Sequence, residues 1–261
     1  MVVDSVAGSS SDCSVCNNAN FCLERSDIVD CGGPGLHVIQ ADDLCIKLNH
    51  IEGNVGPGVL TQEDDAILLG STLIGNQAGI AVSDQQESVL VQNNTISGNQ
   101  EGGIVVSQTA TSGPVATFEA HNNKILGNSL GGISVYNGTP LLGQLKTEIS
   151  QNVIHDHAGV AIHVVRAAAQ IQQNKIKAVA GETLVSGRAI ELNRSPDFAV
   201  SDNVIEAVAD GGIFVHAPFL EAGSTVASNQ IFDTGTYGIS IQGPKAADYV
   251  CDPAANIDES V

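Results

Sequence analysis

The sequence predicts an all-β fold in which short strands stack in parallel as a solenoid of about eight coils. Two recurring phrases predict it: an Asn-x-Ile triplet that returns every 22 to 29 residues, and a small residue followed by an aliphatic residue further along each unit. Self-similarity at such a period is the sequence signature of repeat architectures. The composition, 43% hydrophobic but only 3% aromatic, indicates a core of small aliphatic side chains.

The Asn-x-Ile triplet occurs seven times, and Ser71-Thr72-Leu73 is a degenerate eighth copy. The triplets begin at Asn49, Asn94, Asn123, Asn152, Asn174, Asn203 and Asn229. If each coil turns a corner at this position, equivalent amides lie about 4.8 Å apart and hydrogen-bond along the stack. Asparagine also tolerates the left-handed backbone that such a corner needs. We therefore expect a column of asparagine side chains along one corner of the solenoid.

The second landmark places an aliphatic residue eight positions after the Ile of the triplet, as in Gly103-Ile104 and Gly132-Ile133. Its glycine serves a second corner, where positive φ or close packing is required. Apolar residues then alternate with variable ones, as in Ile104 and Val106, so that every second side chain points into the core. No consistent two-residue turn links the strands, which argues against hairpins.

The phrases N-x-I-x-x-N and G-[GV]-I-x-V, spread over about residues 41–243, resemble those of right-handed parallel β-helix repeat proteins. That class includes pectate lyases, polygalacturonases, alginate lyases and mannuronan epimerases. The resemblance implies a single-stranded right-handed parallel β-helix over residues 41–243. Residues 1–40 are expected to form a Cys-rich N-terminal cap, and residues 244–261 a tail or partial cap. The phrases are shared across activities, so the fold alone selects no enzyme.

The charge balance restricts the partners. The chain has 10 Lys and Arg against 29 Asp and Glu, a net charge of −19. Such a charge argues against nucleic acid or an anionic membrane surface as the partner. No stretch approaches the roughly 18 consecutive apolar residues of a membrane span, so no membrane insertion is expected. A polysaccharide or a protein surface is the partner that the sequence favours.

The cysteines are unevenly distributed, because five of the six fall within 33 residues. These five are the disulfide candidates: Cys13, Cys16, Cys22, Cys31 and Cys45. Clustered cysteines are typical of a disulfide-stapled segment in an extracellular or cell-surface protein. A zinc site at Cys13-x-x-Cys16 is the weaker alternative, because no second pair follows it. Cys251 lies far along the rod, so we expect it to be free or bonded to another chain, with self-association through Cys251 or the rod ends.

The repeat register assigns the outward residues of the strand after the second landmark. The first outward column contains Leu60, Ala81, Val105, Ser134, His163, Glu191, Phe214 and Ser240. The second contains Gln62, Ser83, Ser107, Tyr136, Val165, Asn193, His216 and Gln242. Polar and titratable groups are concentrated in coils four to seven, whereas the earlier coils carry mostly small or apolar side chains. The sequence therefore predicts a site on this part of the exposed sheet.

In the sugar-processing families that the chain resembles, the active groove lies along the corresponding sheet. Lyases and epimerases there need a base that takes the proton next to a uronate carboxylate, which implies His163 as the base and Tyr136 as the acid. Glu191 is the third catalytic candidate. Hydrolases of this fold use paired carboxylates, and Glu191 has no partner in either column. A surface ion pair between His163 and Glu191 is the simpler alternative.

The same resemblance suggests residues that bind a substrate. A guanidinium pairs well with a uronate carboxylate, and three arginines lie near the site: Arg166, Arg188 and Arg194. Asn193 and His216 complete the binding candidates in the second column. The longer segments 107–117, 136–146 and 181–187 are expected to border the groove.

Two sequence clusters invite a metal assignment. His155-Asp156-His157 contains metal-binding residue types, but strand alternation points consecutive side chains apart. Glu63-Asp64-Asp65 with Asp84 offers oxygen ligands for Ca²⁺, while a solvated acidic turn is the alternative. Ca²⁺ is thus the only cofactor candidate, and no other metal is predicted.

Two functions are compatible with these features. The first is a non-catalytic extracellular solenoid with a structural, surface or carbohydrate-binding role. The second is a polysaccharide lyase or epimerase that acts on an acidic polysaccharide. The Gly-His-Gly and Arg-x-Lys phrases of polygalacturonases and the Arg-x-Pro-x-x-Arg phrase of pectate lyases are absent from the sequence. The first function is therefore favoured.

Overall fold

The computed structural model describes residues 14–16, 22–39, 43–62, 65–84, 88–109, 116–138, 145–177, 187–216 and 223–243. These residues form 28 strands and no helix. Strands of successive coils pair in parallel and form three sheets of ten, nine and nine strands. The predicted all-β parallel solenoid is therefore confirmed. Within the described part of the chain, no helix has the length and apolar character needed to cross a membrane.

The chain visits three sheets in turn, which we call A, B and C, and each full coil adds one strand to each. Sheet A contains β1 (Ser14–Cys16), β4 (Leu36–Ile39), β7 (Val59–Gln62), β10 (Ile80–Ser83), β13 (Gly102–Gln108), β16 (Gly131–Asn137), β19 (Val160–Val165), β22 (Arg188–Asn193), β25 (Gly211–His216) and β28 (Tyr237–Gln242). Sheet B contains β2 (Cys22–Glu24), β5 (Leu44–Lys47), β8 (Ala66–Leu69), β11 (Ser88–Gln92), β14 (Ala116–His121), β17 (Leu145–Ser150), β20 (Ala168–Gln172), β23 (Phe198–Ser201) and β26 (Thr225–Ala227). Sheet C contains β3 (Asp27–Val29), β6 (His50–Glu52), β9 (Thr72–Ile74), β12 (Thr95–Ser97), β15 (Lys124–Leu126), β18 (Val153–His155), β21 (Lys175–Lys177), β24 (Val204–Glu206) and β27 (Gln230–Phe232).

The core consists of inward side chains stacked coil upon coil. Ile104 pairs with Ile133 and Val106 with Val135 across sheet A, and all four side chains are fully buried. Fully burying a Val or Ile side chain stabilises the fold by about 1.5–3 kcal/mol. The predicted inward positions are therefore the ones that the solenoid uses.

The predicted column of asparagines runs along the corner between sheets B and C, and we call it the first ladder. The backbone N–H of Asn123 donates to Oδ1 of Asn152 in the next coil at 2.9 Å, and Nδ2 of Asn123 donates to the Val91 carbonyl of the preceding coil at 2.8 Å. The same link between backbone N–H and the next coil continues from Ser26 to Asn229. Buried polar groups are costly unless they are hydrogen-bonded, so the ladder satisfies backbone groups at a corner.

The left-handed residue at this corner is the one before each ladder asparagine, and not the asparagine itself. Asn122 and Gln151, which precede Asn123 and Asn152, have φ of 53° and 58°. The ladder asparagines from Asn49 to Asn203 turn their side chains inward and are buried, while Asn229 is half-buried. The corner does need a left-handed residue, as expected, but that residue is the one before the asparagine of each triplet.

A second ladder, which was not predicted, lies at the corner after sheet C. It contains Asn54, Asn76, Asn99 and Asn128, each of which is almost fully buried. The N–H of Asn99, for example, donates to Oδ1 of Asn128 at 3.0 Å. The asparagine three residues after the Ile of the triplet thus repeats because it bonds to the next coil.

The glycine of the second landmark is required by close packing. A Cβ added at Gly103 would lie 2.8 Å from the carbonyl oxygen of Gly132 and 3.0 Å from Nδ2 of Asn128 in the second ladder. Such distances are shorter than ordinary van der Waals contact. Of the two predicted reasons for this glycine, close approach of the next coil is the one that applies.

The solenoid begins earlier than predicted, because β2, β3 and β4 lie within residues 22–39, which were expected to belong to a cap. They pair in register with β5, β6 and β7. In this coil Ser26-Asp27-Ile28 takes the place of the triplet, and Gly35-Leu36 follows at the usual spacing. Because Ser26 stands where the other coils have asparagine, the Asn-x-Ile pattern does not predict this coil. Residues 1–13 and the predicted tail 244–261, with Cys13 and Cys251, lie outside the described residues.

We predict that Asn152→Ala destabilises the fold by about 3 kcal/mol, because several buried groups of the first ladder lose their partners at once. The groups affected are the N–H and Nδ2 of Asn123 and the carbonyls of Ala120 and Ser150. Urea unfolding followed by circular dichroism measures the change. Asn152→Ser is the matched variant and should lose less, because Ser71 occupies an equivalent ladder position and accepts the N–H of Asn49. Equal stability of wild type and Asn152→Ala would contradict a structural role for the ladder.

Candidate functional site

The outer face of sheet A carries the two predicted columns in the predicted register. His163 pairs with Ser134 on one side and with Glu191 on the other, while Tyr136 pairs with Val165. Neighbouring strands are about 4.8 Å apart, so outward side chains of successive coils come into contact. The structure thus brings Tyr136, His163 and Glu191 together on three successive strands.

Tyr136 and His163 form the first contact of this group. The Tyr136 hydroxyl lies 3.2 Å from His163 Nδ1, and the two rings meet edge to face with centroids 5.3 Å apart. Tyr136 is exposed at 39%, whereas His163 Nε2 is shielded from solvent and makes no hydrogen bond with the described residues. The phenol is therefore the accessible end of the pair.

Glu191 and Arg188 form the second contact. Glu191 Oε2 accepts a hydrogen bond from Arg188 Nη1 at 2.8 Å, while Glu191 Oε1 lies 3.9 Å from His163 Nε2. Arg188 Nε lies 3.6 Å from Oδ2 of Asp210. Two carboxylates thus surround one guanidinium, so the charge of Arg188, a predicted partner for a substrate carboxylate, is balanced within the protein.

Aromatic rings complete the group on the next two strands. The guanidinium of Arg188 lies 3.9 Å above the centroid of the Phe214 ring, in cation–π geometry. Phe214 in turn contacts His216 and Tyr237, with ring centroids 6.5 and 6.2 Å apart. We call the whole group the polar strip; it consists of Tyr136, His163, Arg188, Glu191, Asp210, Phe214, His216 and Tyr237.

Asp210 and Tyr237 belong to the polar strip but were not predicted. Both lie outside the two columns of outward residues. The sequence feature that indicates the position of Tyr237 is Gly211, which pairs with Tyr237 in sheet A. A Cβ at Gly211 would clash with the Tyr237 ring, so only glycine leaves room for that ring. On the opposite side of Gly211, the paired residue is Arg188. The missing side chain leaves room for Arg188 and Tyr237 to approach each other.

The protonation state of His163 is set by its surroundings. Burial lowers the pKa of His163, and the positive charge of Arg188 lowers it further, while the carboxylate of Glu191 opposes both effects. The imidazole is consequently neutral at pH 7, with Nδ1 facing a phenol and Nε2 facing a carboxylate. A neutral imidazole beside a phenol is able to accept a proton from it.

The remaining predicted binding residues lie at the margin of the strip. Arg166 and Arg194 directly follow β19 and β22 and have left-handed backbone, with φ of 57° and 54°. Among the described residues, neither guanidinium makes an ion pair with a carboxylate. Asn193 pairs with His216 in the second column. Much of the predicted groove borders lies outside the described residues, namely 110–115, 139–144 and 181–186.

The side chains of His155, Asp156 and His157 do not form a close group of three metal-binding side chains in the described part of the chain. His155 Nδ1 lies 2.6 Å from Oδ2 of Asp156, whereas His157 turns inward and takes the next position of the second ladder. His157 Nδ1 accepts the N–H of Asn128 at 3.2 Å, and Nε2 donates to the Ile125 carbonyl at 3.2 Å. Burial lowers the pKa of His157 to about 4. The histidine is thus a structural substitute for asparagine.

The carboxylates proposed for Ca²⁺ bind neighbouring coils. Oδ1 of Asp65 accepts the N–H of Ser88 at 2.9 Å, and Oδ1 of Asp84 accepts the N–H of Thr109 at 2.6 Å. Glu63 and Asp64 lie outside the described residues. In the described part of the chain, neither Asp65 nor Asp84 belongs to a group of three close metal-binding side chains. Each aspartate therefore accepts a hydrogen bond from a backbone N–H of the next coil.

A second polar group that was not predicted lies on sheet B. His121 Nδ1 lies 2.6 Å from Ser150 Oγ, and His121 Nε2 lies 3.2 Å from Oε2 of Glu119. This order of groups matches that of a serine hydrolase, but the nearby N–H groups of Asn122 and Gln151 are bonded to the next coils. Neither of these two backbone donors is therefore available to stabilise an oxyanion.

The fold and the polar strip define the chain as a parallel β-solenoid with one polar, partly aromatic face. More particularly, the chain belongs to the family described as right handed beta helix region, whose model matches residues 5–142 and 141–250. No curated protein sequence matches the chain.

Solved structures that are similar to this chain include a surface adhesin and an epimerase. PfbA, a surface adhesin of Streptococcus pneumoniae, is similar with a TM-score of 0.50 and 13% identity, over 82% of this chain and 67% of the adhesin. The periplasmic alginate epimerase AlgG is similar with a TM-score of 0.48 and 13% identity, over 82% of this chain and 58% of the epimerase. At such identities the likeness concerns the fold alone.

We predict that His157 makes the fold sensitive to acid. Its pKa is about 4 in the folded protein against 6.5 for an unperturbed histidine, so the unfolded chain binds the proton more readily. Stability is therefore highest above pH 6.5 and falls as the pH drops toward 4, by about 3 kcal/mol in total.

The variant His157→Asn is the matched control for this prediction, because asparagine occupies the equivalent ladder position in the preceding coils, as at Asn99 and Asn128. The substituted amide should accept the N–H of Asn128, as Asn128 accepts that of Asn99, without titrating. Urea unfolding of both proteins at pH 7 and pH 4.5 measures the difference. The same loss of stability in wild type and variant would show that His157 is not responsible.

Proposed function

We propose that the protein is a non-catalytic β-helix that binds a polysaccharide along the polar strip. The observation that carries this proposal is the concentration of hydrogen-bonding and aromatic side chains on five successive strands of sheet A, from Tyr136 on β16 to Tyr237 on β28. Earlier coils present mostly small or apolar groups such as Ala81 and Val105 at the same positions. Four steps of about 4.8 Å give a strip about 19 Å long, which suits an extended ligand.

The chemistry of the strip suits sugar hydroxyl groups. Carboxylate oxygens of Glu191 and Asp210 accept hydrogen bonds, the Tyr136 hydroxyl donates and accepts them, and the ring of Tyr136 offers an exposed apolar face. Because Glu191 and Asp210 already balance the charge of Arg188, the strip carries no excess positive charge. In a chain of net charge −19, this favours a neutral polysaccharide over a polyanion.

We also propose an extracellular or cell-surface location, which would suit a ligand of this kind. The clustered cysteines are typical of an oxidising compartment. The structural neighbour PfbA, which shares the fold, is a surface adhesin. We place the protein outside the cytoplasm on these grounds.

The binding proposal predicts that Tyr136→Ala and Arg188→Ala each weaken polysaccharide binding at least tenfold, or about 1.4 kcal/mol. Tyr136→Ala removes the exposed ring, and Arg188→Ala leaves two carboxylates unpaired and uncovers Phe214. Affinity electrophoresis in gels containing β-glucan, xylan, mannan, pectate or alginate measures the effect.

Ser107→Ala is the control for these variants, because Ser107 occupies the same column as Tyr136 one coil earlier and lies outside the strip. It should bind like the wild type. The proposal would be contradicted if the wild type bound none of the polysaccharides in the panel. Unchanged binding by both strip variants would contradict it as well.

A lyase or epimerase is the second candidate, and the contact between Tyr136 and His163 favours it. A neutral His163 that faces the phenol at 3.2 Å is placed to accept its proton, which would let the exposed phenolic oxygen act on a substrate proton. Since His163 Nε2 is shielded, the phenol would be the group that touches the substrate. Arg166 and Arg194, which make no ion pair in the described structure, would be the partners of a uronate carboxylate.

The catalytic candidate predicts ultraviolet absorbance from an unsaturated product when the protein is incubated with pectate or alginate, or an epimerised product detected by NMR. Tyr136→Phe and His163→Ala should each abolish that activity. Tyr136→Phe keeps the ring, so polysaccharide binding should persist in it, which separates catalysis from binding. Absence of product from every polyuronate, with and without Ca²⁺, would exclude this second function.

A further inference from the structure

Two cysteine side chains meet on the outer face of sheet B, away from the polar strip. Cys22 on β2 pairs directly with Cys45 on β5, and their Sγ atoms are 2.6 Å apart. Their neighbours in the strands, Leu23 and Ile46, point into the core, so the two thiols point outward. The thiols are thus adjacent and accessible from solvent.

The backbone geometry at this position suits a covalent link. Neighbouring parallel strands hold paired Cα atoms about 4.8 Å apart, within the roughly 4.4–6.8 Å that disulfides span. Cys31 is differently placed, since it is buried at the corner of the second ladder, where its N–H donates to Oδ1 of Asn54. Position and direction therefore pair Cys22 with Cys45.

We propose that Cys22 and Cys45 form a disulfide that fastens the coil of residues 22–39 to the next coil. The reaction needs a disulfide oxidant such as oxidised glutathione. The thiolate of one cysteine attacks that disulfide and releases one glutathione thiol, and the second cysteine then displaces the other glutathione. In total, two protons and two electrons leave the protein, and one oxidised glutathione becomes two thiols.

A metal site is the competing use of the same residues. Glu24 brings a carboxylate oxygen within 4.8 Å of both sulfur atoms. However, Glu24 Oε1 lies 3.9 Å from Nζ of Lys47, which places a positive charge beside the thiols. Two sulfur ligands at about 2.3 Å from one tetrahedral zinc would lie about 3.8 Å apart, farther than these two sulfur atoms.

The link would act where the solenoid is weakest. In the described chain, β2 and β3 are the terminal strands of sheets B and C, so each has a neighbour on one side only. Terminal coils of a solenoid lack half of the contacts that stabilise internal ones. A bond between residues 23 positions apart restricts the opening of this coil, whose local unfolding should be slower by on the order of a hundredfold.

Peptide mapping of the full chain, purified in a glutathione redox buffer and alkylated without reduction, tests the pairing. Cleavage after Phe21 separates Cys16 from Cys22, and cleavage before aspartates separates Cys31 from Cys45. We expect one linked pair of peptides, containing Cys22 and Cys45. It should disappear in Cys22→Ser and Cys45→Ser and persist in the control Cys31→Ser.

Hydrogen exchange then tests the role of the bond. Amides of β2 and β3 should exchange on the order of a hundredfold faster after reduction, while those of β15 and β18 should be unchanged. Quantitative alkylation of both thiols, or their linkage to other cysteines, would overturn the proposal. Stoichiometric zinc bound to reduced protein, measured by metal analysis, would equally overturn it.

Discussion

Hydrogen bonds from asparagine side chains at the corners are the interaction on which this solenoid depends. Strands bond to the next coil through their backbones, but at a corner the chain changes direction and those bonds are interrupted. Buried amides fill the gap: Oδ1 of Asn152 accepts the N–H of Asn123, and Oδ1 of Asn128 accepts the N–H of Asn99. Without them, polar backbone groups would remain unpaired in an apolar interior, which is more costly than the loss of an exposed hydrogen bond.

The ladders also determine where a site is able to form. Because they fix the register of every coil, Tyr136, His163 and Glu191 arrive on one face although 55 residues separate the first from the last. Inward positions are constrained by stacking, whereas outward positions change without disturbing the core. Substitutions at outward positions of a few adjacent coils are therefore able to create a binding surface, as we propose for the polar strip.

The repeat pattern was sufficient to predict the fold class, the buried positions such as Ile104, and the register of both outward columns. It missed the coil of residues 22–39, because Ser26 stands where asparagine was expected. It also missed the contact of Arg188 with Phe214, since register specifies which strands are neighbours but not how a long side chain bends across them. The repeat pattern also did not show that Cys22 and Cys45 are neighbours on adjacent strands, since Cys22 lies in the missed coil of residues 22–39.

The polar strip is rigid because most of its side chains extend from strands. Tyr136 and His163 extend from backbone that is hydrogen-bonded on both sides, and Arg188 is held by two carboxylates and an aromatic ring. Side chains ordered before binding lose little conformational entropy when a ligand arrives, so even modest contacts contribute to affinity. The charge of Arg188 is already balanced within the protein, which suits hydrogen bonding to a neutral ligand better than capture of a uronate carboxylate by this guanidinium. These features support our proposal that the strip binds an extended, neutral ligand.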